Sequence, residues 1–239
     1  MVETAEQKVA IITGASQGIG ASLVPAYRKL GYAVLGTSRT IRPPSDDPMI
    51  ATVQGDIATA DTAERITRYA IERFGRIDTL INNAGVFVAK RFTQYTDEDY
   101  DLVTGVNLGG FFHITRRAIE HMERLGGGHV VNITTTLVEH ADVKVPSALA
   151  SLTKGGLAAV TKSLATEYAA TGIRVNAVSL GVIKTPMHAP ETYEGLGTLH
   201  PMGRMGETSD VVNAVMYLES APFVTGEFMH VDGGQSAGH

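Results

Sequence analysis

The segment TGASQGIG, at residues 13–20, holds the first residues whose types and spacing indicate a chemical task. It directly follows an apolar run and opens an amphipathic stretch, as expected where a strand turns into a helix. Glycine permits positive φ angles and close approach of a ligand to the backbone, and the amides at the start of a helix attract negative charge. We therefore predict a site for the pyrophosphate of a dinucleotide, and an ordinary glycine-rich turn is the alternative. The residues predicted to contact this ligand are Gly14, Ser16, Gln17, Gly18, Ile19 and Gly20.

Five short apolar runs, one of which leads into this turn, alternate with amphipathic stretches along the chain. The runs are rich in β-branched residues and lack polar alternation, which is typical of strands buried on both faces. They span residues 8–13, 32–38, 77–82, 129–134 and 173–179. Between the runs, apolar residues recur three and four positions apart, as at Ile19, Leu23 and Tyr27, and this spacing indicates helices. The alternation predicts an α/β protein in which helices cover both faces of a parallel sheet, with a dinucleotide site at the carboxyl ends of the strands.

The composition narrows the classes of function. With 239 residues, 44% of them hydrophobic, the chain can bury the core of one domain. Its 20 basic and 25 acidic residues are spread along the chain, which argues against a nucleic-acid partner. The chain has no cysteine and its 8 histidines show no metal-ligand spacing, so we predict neither disulfides nor a metal site. No apolar run reaches the roughly 20 residues that span a bilayer and the first residues lack an export pattern, so we expect no membrane association and a soluble, cytoplasmic protein.

Further motifs follow the glycine-rich turn in a fixed order. They are Asp56-Ile57, Asn82-Asn83-Ala84-Gly85, Asn107, Val131-Asn132-Ile133-Thr134-Thr135, Lys154 and His230-Val231-Asp232-Gly233-Gly234. Together with the TGxxxGxG spacing of the turn, they resemble the short-chain dehydrogenase/reductase family across nearly the whole chain. The resemblance implies a single-domain Rossmann fold over residues 1–239, with a doubly wound parallel sheet of about seven strands and helices on both faces. It also implies nicotinamide-nucleotide binding, and it extends the predicted cofactor contacts to Asp56, Ile57, Asn83, Ala84, Gly85, Lys154, Gly181, Ile183 and Thr185.

The same resemblance assigns the catalytic positions and exposes one departure from the family. Members of the family use a tyrosine to exchange a proton with the substrate oxygen, and a lysine four residues later to lower the pKa of that tyrosine and hold the ribose. Here the lysine is Lys154, but the tyrosine position is Ala150, which has no proton to offer. The family's asparagine, which supports a water relay, corresponds to Asn107.

The family's serine, which orients the substrate carbonyl, corresponds to a threonine. Thr135 is the candidate, although it precedes Ala150 by a longer interval than usual. Thr134 and Thr136 are therefore alternatives. After Lys154, the pair Gly155-Gly156 is unfavourable within a helix by up to about 1 kcal/mol per residue relative to alanine, and it predicts close packing against backbone or cofactor.

Recognition of the adenosine ribose is expected at the end of the second strand. An acidic residue there would accept hydrogen bonds from a free 2′-hydroxyl and repel a 2′-phosphate, but this chain has Ser38 followed by Arg39. A guanidinium next to a hydroxyl suits a phosphate monoester, and Arg42 is a candidate second cation. We therefore predict NADP(H) as the cofactor in preference to NAD(H). A solvated loop charge is the alternative for Arg39.

Two segments are predicted to be irregular. Residues 41–48 contain three prolines and predict a loop in place of a crossover helix. Residues 186–202 are expected to form a lid over the substrate. Apolar residues in or next to the lid indicate either a hydrophobic small-molecule substrate or packing of the lid itself. They are Met187, Leu196, Leu199 and Met202.

Three functions remain open from sequence. The first is an NADP(H)-dependent carbonyl or imine reductase whose proton comes from a source other than tyrosine. That source is either a water held by Lys154, Asn107 and Thr135 or a side chain of the lid, and the lid candidates are His188, Tyr193 and His200. The second function is a catalytically silent NADP(H)-binding protein that acts as a sensor or partner subunit, and the third is a lyase or epimerase. The resemblance also implies a homotetramer, or next a homodimer, built on helices at about residues 99–125 and 147–170.

Overall fold

The computed structural model describes residues 7–42 and 46–238, and in them seven parallel strands form one sheet. The strands are β1 (Val9–Thr13), β2 (Ala33–Ser38), β3 (Ile50–Gln54), β4 (Thr79–Asn82), β5 (Gly128–Thr135), β6 (Ile173–Leu180) and β7 (Phe228–Val231). Their order across the sheet is β3-β2-β1-β4-β5-β6-β7, and every neighbouring pair is parallel. The predicted single-domain α/β Rossmann fold is confirmed. Because the chain reverses its direction of travel across the sheet between β1 and β4, a crevice opens where their carboxyl ends diverge.

Seven α-helices connect or flank the strands within the described residues. They are α1 (Gly18–Lys29), α2 (Ala60–Phe74), α3 (Asp97–Thr104), α4 (Gly110–Leu125), α5 (Ala148–Tyr168), α6 (Tyr193–Gly197) and α7 (Thr208–Ser220). The α3 and α4 helices are joined by a π-helical segment, Gly105–Gly109. No helix of the described residues is both long enough and apolar enough to cross a membrane.

Two hydrophobic cores lie on opposite faces of the sheet. In β1, Ile11 packs into a core with residues of α2, α4 and α5, whereas its neighbour Ile12 packs into a second core with residues of α1 and α7. Successive side chains of a strand point to opposite faces, and here both faces are covered. This burial is why the strands read as continuous apolar runs without polar alternation.

Of the two segments predicted to be irregular, one lacks a helix in its described residues and the other contains a short one. Between β2 and β3 the described residues contain no helix, as predicted for residues 41–48, although residues 43–45 of that loop lie outside the described part. The lid segment at residues 186–202 is more ordered than a loop, because it contains a short 3₁₀ turn, Pro190–Thr192, and α6. Local sequence gave no signal for α6, since Gly195 and Gly197 both weaken a helical pattern.

Candidate active site

The glycine-rich turn between β1 and α1 is built so that side chains cannot replace its glycines. Gly14 has a φ angle of +68° and Gly18 one of +56°, a region that favours glycine. A Cβ atom added to Gly20 would lie 2.3 Å from the carbonyl oxygen of Gly14. At the start of α1, Gln17 makes no side-chain capping hydrogen bond, so the positive end of the helix is left for another acceptor.

The turn is tied to the loop after β4 by hydrogen bonds. Thr13 Oγ1 accepts 3.0 Å bonds from the backbone N–H groups of Asn83 and Ala84. Asn83 Nδ2 in turn donates to the carbonyl oxygen of Thr13 at 2.9 Å. Two motifs that are 70 residues apart in sequence therefore form one rigid edge of the crevice.

A cavity of about 890 Å³ runs along this crevice at the carboxyl ends of the strands. The predicted cofactor residues that border it are Gly14, Ser16, Gln17, Gly18, Ile19, Ser38, Arg39, Asp56, Ile57, Asn83, Ala84, Gly85, Lys154, Gly181, Ile183 and Thr185. Gly20 is the exception, because it packs behind Gly14 and away from the open space. The cavity is long enough to bring the glycine turn, the end of β2 and the start of α5 into one binding site.

One end of the cavity is bordered by Ser38 and Arg39 at the end of β2. Ser38 Oγ accepts a 3.2 Å hydrogen bond from the backbone of Thr40, and Arg39 is exposed. Arg42, the second predicted cation, does not border the cavity. The positive charge at this end is therefore supplied by Arg39.

Asn107 lies behind the cavity wall in the π-helical segment. Its Oδ1 accepts a 2.9 Å bond from the backbone of Val86, and its Nδ2 donates to Val86 O and to Thr153 Oγ1 at 3.1 Å. The side chain is buried and does not border the main cavity. Asn107 thus fixes the loop after β4 against α5. Short π-helical segments of this kind occur frequently at functional sites.

The three threonines at the end of β5 have different surroundings, although all border the cavity. Thr134 Oγ1 donates to Val178 O, and Thr136 Oγ1 donates to Leu180 O, each at 3.2 Å. Thr135 Oγ1 accepts a 3.4 Å bond from the backbone of Leu137. Among the described residues, the hydroxyl proton of Thr135 therefore stays available for a ligand.

Ala150 and Lys154 lie one turn apart on α5, and both border the cavity. Lys154 Nζ donates a 2.8 Å hydrogen bond to Ile133 O of β5. Burial disfavours the charged form and lowers the pKa of Lys154 from 10.5 to about 8. A Cβ atom on Gly85 would lie 3.1 Å from this Nζ, so the glycine allows the ammonium to sit close to the loop after β4.

The lid contributes one of its three titratable candidates to the cavity. His188 borders the open space, and burial lowers its pKa below the ordinary 6.5. Tyr193 does not border the cavity. His200 is buried outside it, where its Nε2 accepts a 2.9 Å hydrogen bond from the backbone N–H of Val182. His200 therefore supports the loop after β6, and a Cβ atom on Gly181 would lie 2.6 Å from its Nε2.

Several cavity residues carried no signal in the sequence. Lys144 and Val145 come from the loop between β5 and α5, and Gln235 comes from the turn after β7. Gln235 is buried and its Oε1 accepts a 3.1 Å hydrogen bond from Thr136. These residues reach the site only through long-range folding, so no local motif could identify them.

The glycine pair after Lys154 does not meet the expectation of close packing against backbone. A Cβ atom on Gly155 would lie 3.7 Å from Val138 Cγ1, and one on Gly156 would lie 3.5 Å from Leu108 Cδ2. Both are ordinary van der Waals distances to side chains, so the predicted packing against backbone is not observed, and the alternative of packing against a cofactor stays a prediction. Helix propensity alone does not report what a glycine packs against.

Comparison with known proteins agrees with this architecture. The sequence profile of a family described as Enoyl-(Acyl carrier protein) reductase matches residues 14–236. A protein of Methylorubrum extorquens, described as an uncharacterized oxidoreductase, is 36% identical over 247 residues, which cover 96% of this chain and 98% of that protein. The structure of ElxO with NADP bound has a TM-score of 0.90 at 29% identity and covers 97% of this chain and 100% of its own. The 3-ketoacyl-(acyl-carrier-protein) reductase from Brucella melitensis complexed with NADH has a TM-score of 0.86 at 29% identity, with coverages of 97% and 99%.

The matches extend over nearly the full length of this chain and of the proteins it resembles. The chain therefore belongs to the short-chain dehydrogenase/reductase family of oxidoreductases.

Proposed function

We propose that this protein is an NADP(H)-dependent reductase of a carbonyl or imine substrate, and that its proton source is not a tyrosine. The observation that carries the proposal is the single cavity that joins the glycine turn, Arg39, Thr135 and Lys154, with Ala150 at the position of the family tyrosine. The cofactor would supply the hydride. The protein would supply the binding site, the orientation of the substrate and the proton.

The shape of the crevice supports dinucleotide binding. The glycines of the first turn leave backbone exposed where side chains would fill the space, and the uncapped start of α1 suits a pyrophosphate. Asp56 and Ile57 would border the adenine, while Gly181, Ile183 and Thr185 would cover the nicotinamide. Lys154 would hold the adjoining ribose. The ElxO structure with NADP bound is that of a protein similar to this chain along its whole length.

The preference for NADP(H) over NAD(H) rests on Arg39. A 2′-phosphate is a dianion near neutral pH, and a guanidinium beside a hydroxyl can donate charge-assisted hydrogen bonds to it. We expect Arg39→Ala to weaken NADPH binding about 10- to 100-fold while NADH binding stays the same. Arg42→Ala is the matched control, because Arg42 does not border the cavity. Equal losses for both nucleotides in Arg39→Ala would refute the preference.

Thr135 would orient the substrate oxygen. Its hydroxyl has no donor contact to the described residues, whereas Thr134 and Thr136 already donate to β6. We expect Thr135→Val to reduce turnover about 10- to 100-fold, the effect of removing one hydrogen bond to a developing negative charge. Thr135→Ser should retain most activity, and full activity of Thr135→Val would refute this role.

A silent NADP(H)-binding protein is the second candidate, and Ala150 is the observation that favours it. Loss of a general acid typically costs 10²- to 10⁴-fold in rate, so slow turnover and silence are both compatible with an alanine. The two functions differ in turnover and not in cofactor binding. The deciding experiment is NADPH oxidation by the wild type and by Ala150→Tyr with ketones, aldehydes, quinones and imines. Turnover by the wild type supports the reductase, whereas turnover only by Ala150→Tyr supports the silent binder.

The substrate and the assembly follow from the lid and the long helices. Met187, Leu196 and Leu199 border the cavity, which supports a hydrophobic substrate, while Met202 is outside it. We propose a homotetramer, or next a homodimer, through α4 and α5, where Phe112 and Leu152 are large exposed apolar residues. A single monomeric species in light scattering at micromolar concentration would contradict both assemblies.

A further inference from the structure

We propose that Lys154 itself is the general acid of the reduction and that its ammonium gives the proton to the oxygen of a carbonyl substrate. This proposal rests on the proposed reductase function and goes beyond it, because it assigns the proton to one atom and the substrate to one class. It also gives the lysine a different task from that of supporting a tyrosine.

The geometry places the lysine where an acid is needed. Ala150 and Lys154 lie on the same face of α5 and border the same cavity, so α5 presents only a methyl group one turn before the lysine. The hydrogen bond to Ile133 O holds Nζ against the carboxyl-terminal part of β5, two residues before Thr135. An ammonium has three N–H donors, and among the described residues one is used in this bond. Two donors remain for ligands.

The titration behaviour fits the role. Burial is the cause that lowers the pKa of Lys154 to about 8, so near pH 7 the group is mostly protonated and still acidic enough to transfer its proton. The other charged or titratable groups on the cavity wall are Arg39 and Asp56 at the cofactor end, Lys144 on the β5–α5 loop and His188 on the lid. None of them contributes to the shift of the Lys154 pKa.

The side chains of the lid and of Thr135 fit the role of proton donor less well than Lys154. Because burial lowers the pKa of His188 below 6.5, its ring is mostly neutral at pH 7 and holds no readily released proton. Tyr193 and His200 do not border the cavity. Thr135 has a neutral hydroxyl, which can orient an oxygen but is too weak an acid to protonate it alone.

The charge of the lysine also selects the substrate. An iminium ion would bring a second positive charge next to Lys154, where burial gives little screening of the repulsion. A neutral carbonyl instead gains from the ammonium, because negative charge develops on its oxygen during reduction. The site therefore favours ketones or aldehydes over iminium ions.

In the proposed reduction, each bond that forms is matched by a bond that breaks. As the C=O π bond breaks, the carbonyl carbon gains a hydride, for which reduced nicotinamide is the donor class. The carbonyl oxygen gains a proton as one N–H bond of Lys154 breaks, and the substrate becomes an alcohol. Lys154 is left as a neutral amine and takes a new proton from water.

Two measurements on the full-length protein test the proposal. The first is an NMR titration of the lysine side chains in the presence of NADP⁺, with the Lys154 signal assigned by its loss in Lys154→Met. The second is the pH dependence of kcat for NADPH-dependent reduction of acetophenone, cyclohexanone and benzaldehyde, with pyrroline as the imine. Lys162→Met is the matched control, because Lys162 is an exposed lysine two turns further along α5.

We expect Lys154 to titrate near 8 and kcat to fall above the same pH, because reduction needs the protonated lysine. Lys154→Met should lower kcat by 10²- to 10⁴-fold, and Lys154→Arg should also be slow because a guanidinium does not release its proton in this range. Lys162→Met should change neither measurement. Thermal unfolding of each variant shows whether the fold is kept.

Different results would refute the role of Lys154 and the reductase function. Turnover that is unchanged in Lys154→Met, a Lys154 pKa above 10, or faster reduction of pyrroline than of every carbonyl would overturn the proposal while the reductase function stands. No turnover of any compound by the wild type would overturn the reductase function as well.

Discussion

The two ends of the parallel sheet use buried polar groups in opposite ways. At the amino-terminal end, the carboxylate of Glu219 on α7 accepts hydrogen bonds from four side chains, which are Tyr27, Tyr32, Thr79 and His129. At the carboxyl-terminal end, Lys154 makes one hydrogen bond and borders an open cavity. The Glu219 carboxylate has no acceptor position left for a ligand, whereas the Lys154 ammonium still has N–H donors to offer. We call the amino-terminal end of the sheet, around Glu219, the closed end, and the carboxyl-terminal end, around Lys154, the open end.

The protonation states at the closed end follow from the contacts. The backbone N–H of Glu227 donates to Asn176 Oδ1 and so orients the amide, whose Nδ2 faces His129 Nε2 at 3.2 Å. That Nε2 must therefore be unprotonated, and His129 stays neutral while its Nδ1–H donates to Glu219. Burial alone would raise the pKa of Glu219, but the hydrogen bonds from His129, Tyr27 and Tyr32 lower it below its ordinary 4.5. A buried charge in this fold is therefore stabilising where all its hydrogen-bonding positions are filled, and it can bind a ligand where some of them stay open.

The largest effect on stability is expected at the closed end. Glu219→Gln replaces a carboxylate that four donors share with an amide that brings its own N–H groups into the cluster, so the free energy of unfolding should fall by roughly 3 kcal/mol. NADPH affinity should not change, because Glu219 lies at the opposite end of the sheet from the cavity. Urea denaturation and nucleotide titration check the two statements. Glu139→Gln, at a partly exposed carboxylate, is the control and should cost less than about 1 kcal/mol.

At the open end, we expect an effect of similar size on NADPH binding. In Gly20→Ala, the new Cβ would meet the Gly14 carbonyl oxygen at 2.3 Å and displace the turn that receives the pyrophosphate. NADPH binding should weaken about 100-fold, or about 2.8 kcal/mol. Gly195→Ala is the matched control, because no atom lies within 4 Å of its added Cβ. Unchanged NADPH affinity in Gly20→Ala would show that the turn is not the pyrophosphate site.

Acid should weaken the closed end by a smaller amount before it unfolds the protein. The folded-state pKa of His129 is lowered by burial from 6.5, so its contribution to stability is present above pH 6.5 and decreases as the pH falls below that value. The folded-state pKa of Glu219 is lowered below 4.5, so its contribution is present above pH 4.5 and is lost as the pH falls below that value. The free energy of unfolding should decline below pH 6.5 and more steeply below pH 4.5. In Glu219→Gln the steep part should flatten, and an identical acid limb in both proteins would contradict the assignment.

The smallest effect is expected on α5 next to Lys154. Gly156→Ala should stabilise the protein by about 0.5–1 kcal/mol, because alanine favours the helix and its Cβ would meet Leu108 at an ordinary 3.5 Å. The urea midpoint should rise without a change in kcat. Destabilisation would instead indicate that another chain approaches α5 closely at this glycine, as in the proposed oligomer.

The strands and the glycine turn could be predicted because local sequence determines them. The run at residues 173–179, for example, differs from β6 (Ile173–Leu180) by one residue, since a strand buried on both faces must be continuously apolar. The π-helical segment Gly105–Gly109, within the helix predicted at about residues 99–125, was not predicted, because the apolar spacing of a helix does not distinguish α from π turns. The close approach of Gly110 to Ile57, where an added Cβ would lie 2.9 Å away, likewise depends on tertiary packing.

The residues of the site also divide into those that local motifs identify and those that only the tertiary structure brings together. The motifs pointed to Lys154 and Ala150 as residues of the site, but not to the direction in which His200 points or the presence of Gln235 in the cavity. Those features are set by the packing of the lid and of the turn after β7, which the sequence pattern does not encode locally. The surroundings of the three threonines likewise required the register of β5 against β6.

We propose that the open end of the sheet supports hydride transfer without a tyrosine. The most direct test is to incubate the purified wild-type protein with acetophenone and NADPH that carries deuterium at the transferable position of the nicotinamide, and to analyse the alcohol by mass spectrometry. We predict an alcohol that contains one deuterium at the carbinol carbon, at a rate that depends on enzyme concentration. Tight NADPH binding with no deuterated alcohol from acetophenone or from any other carbonyl tested would contradict the account.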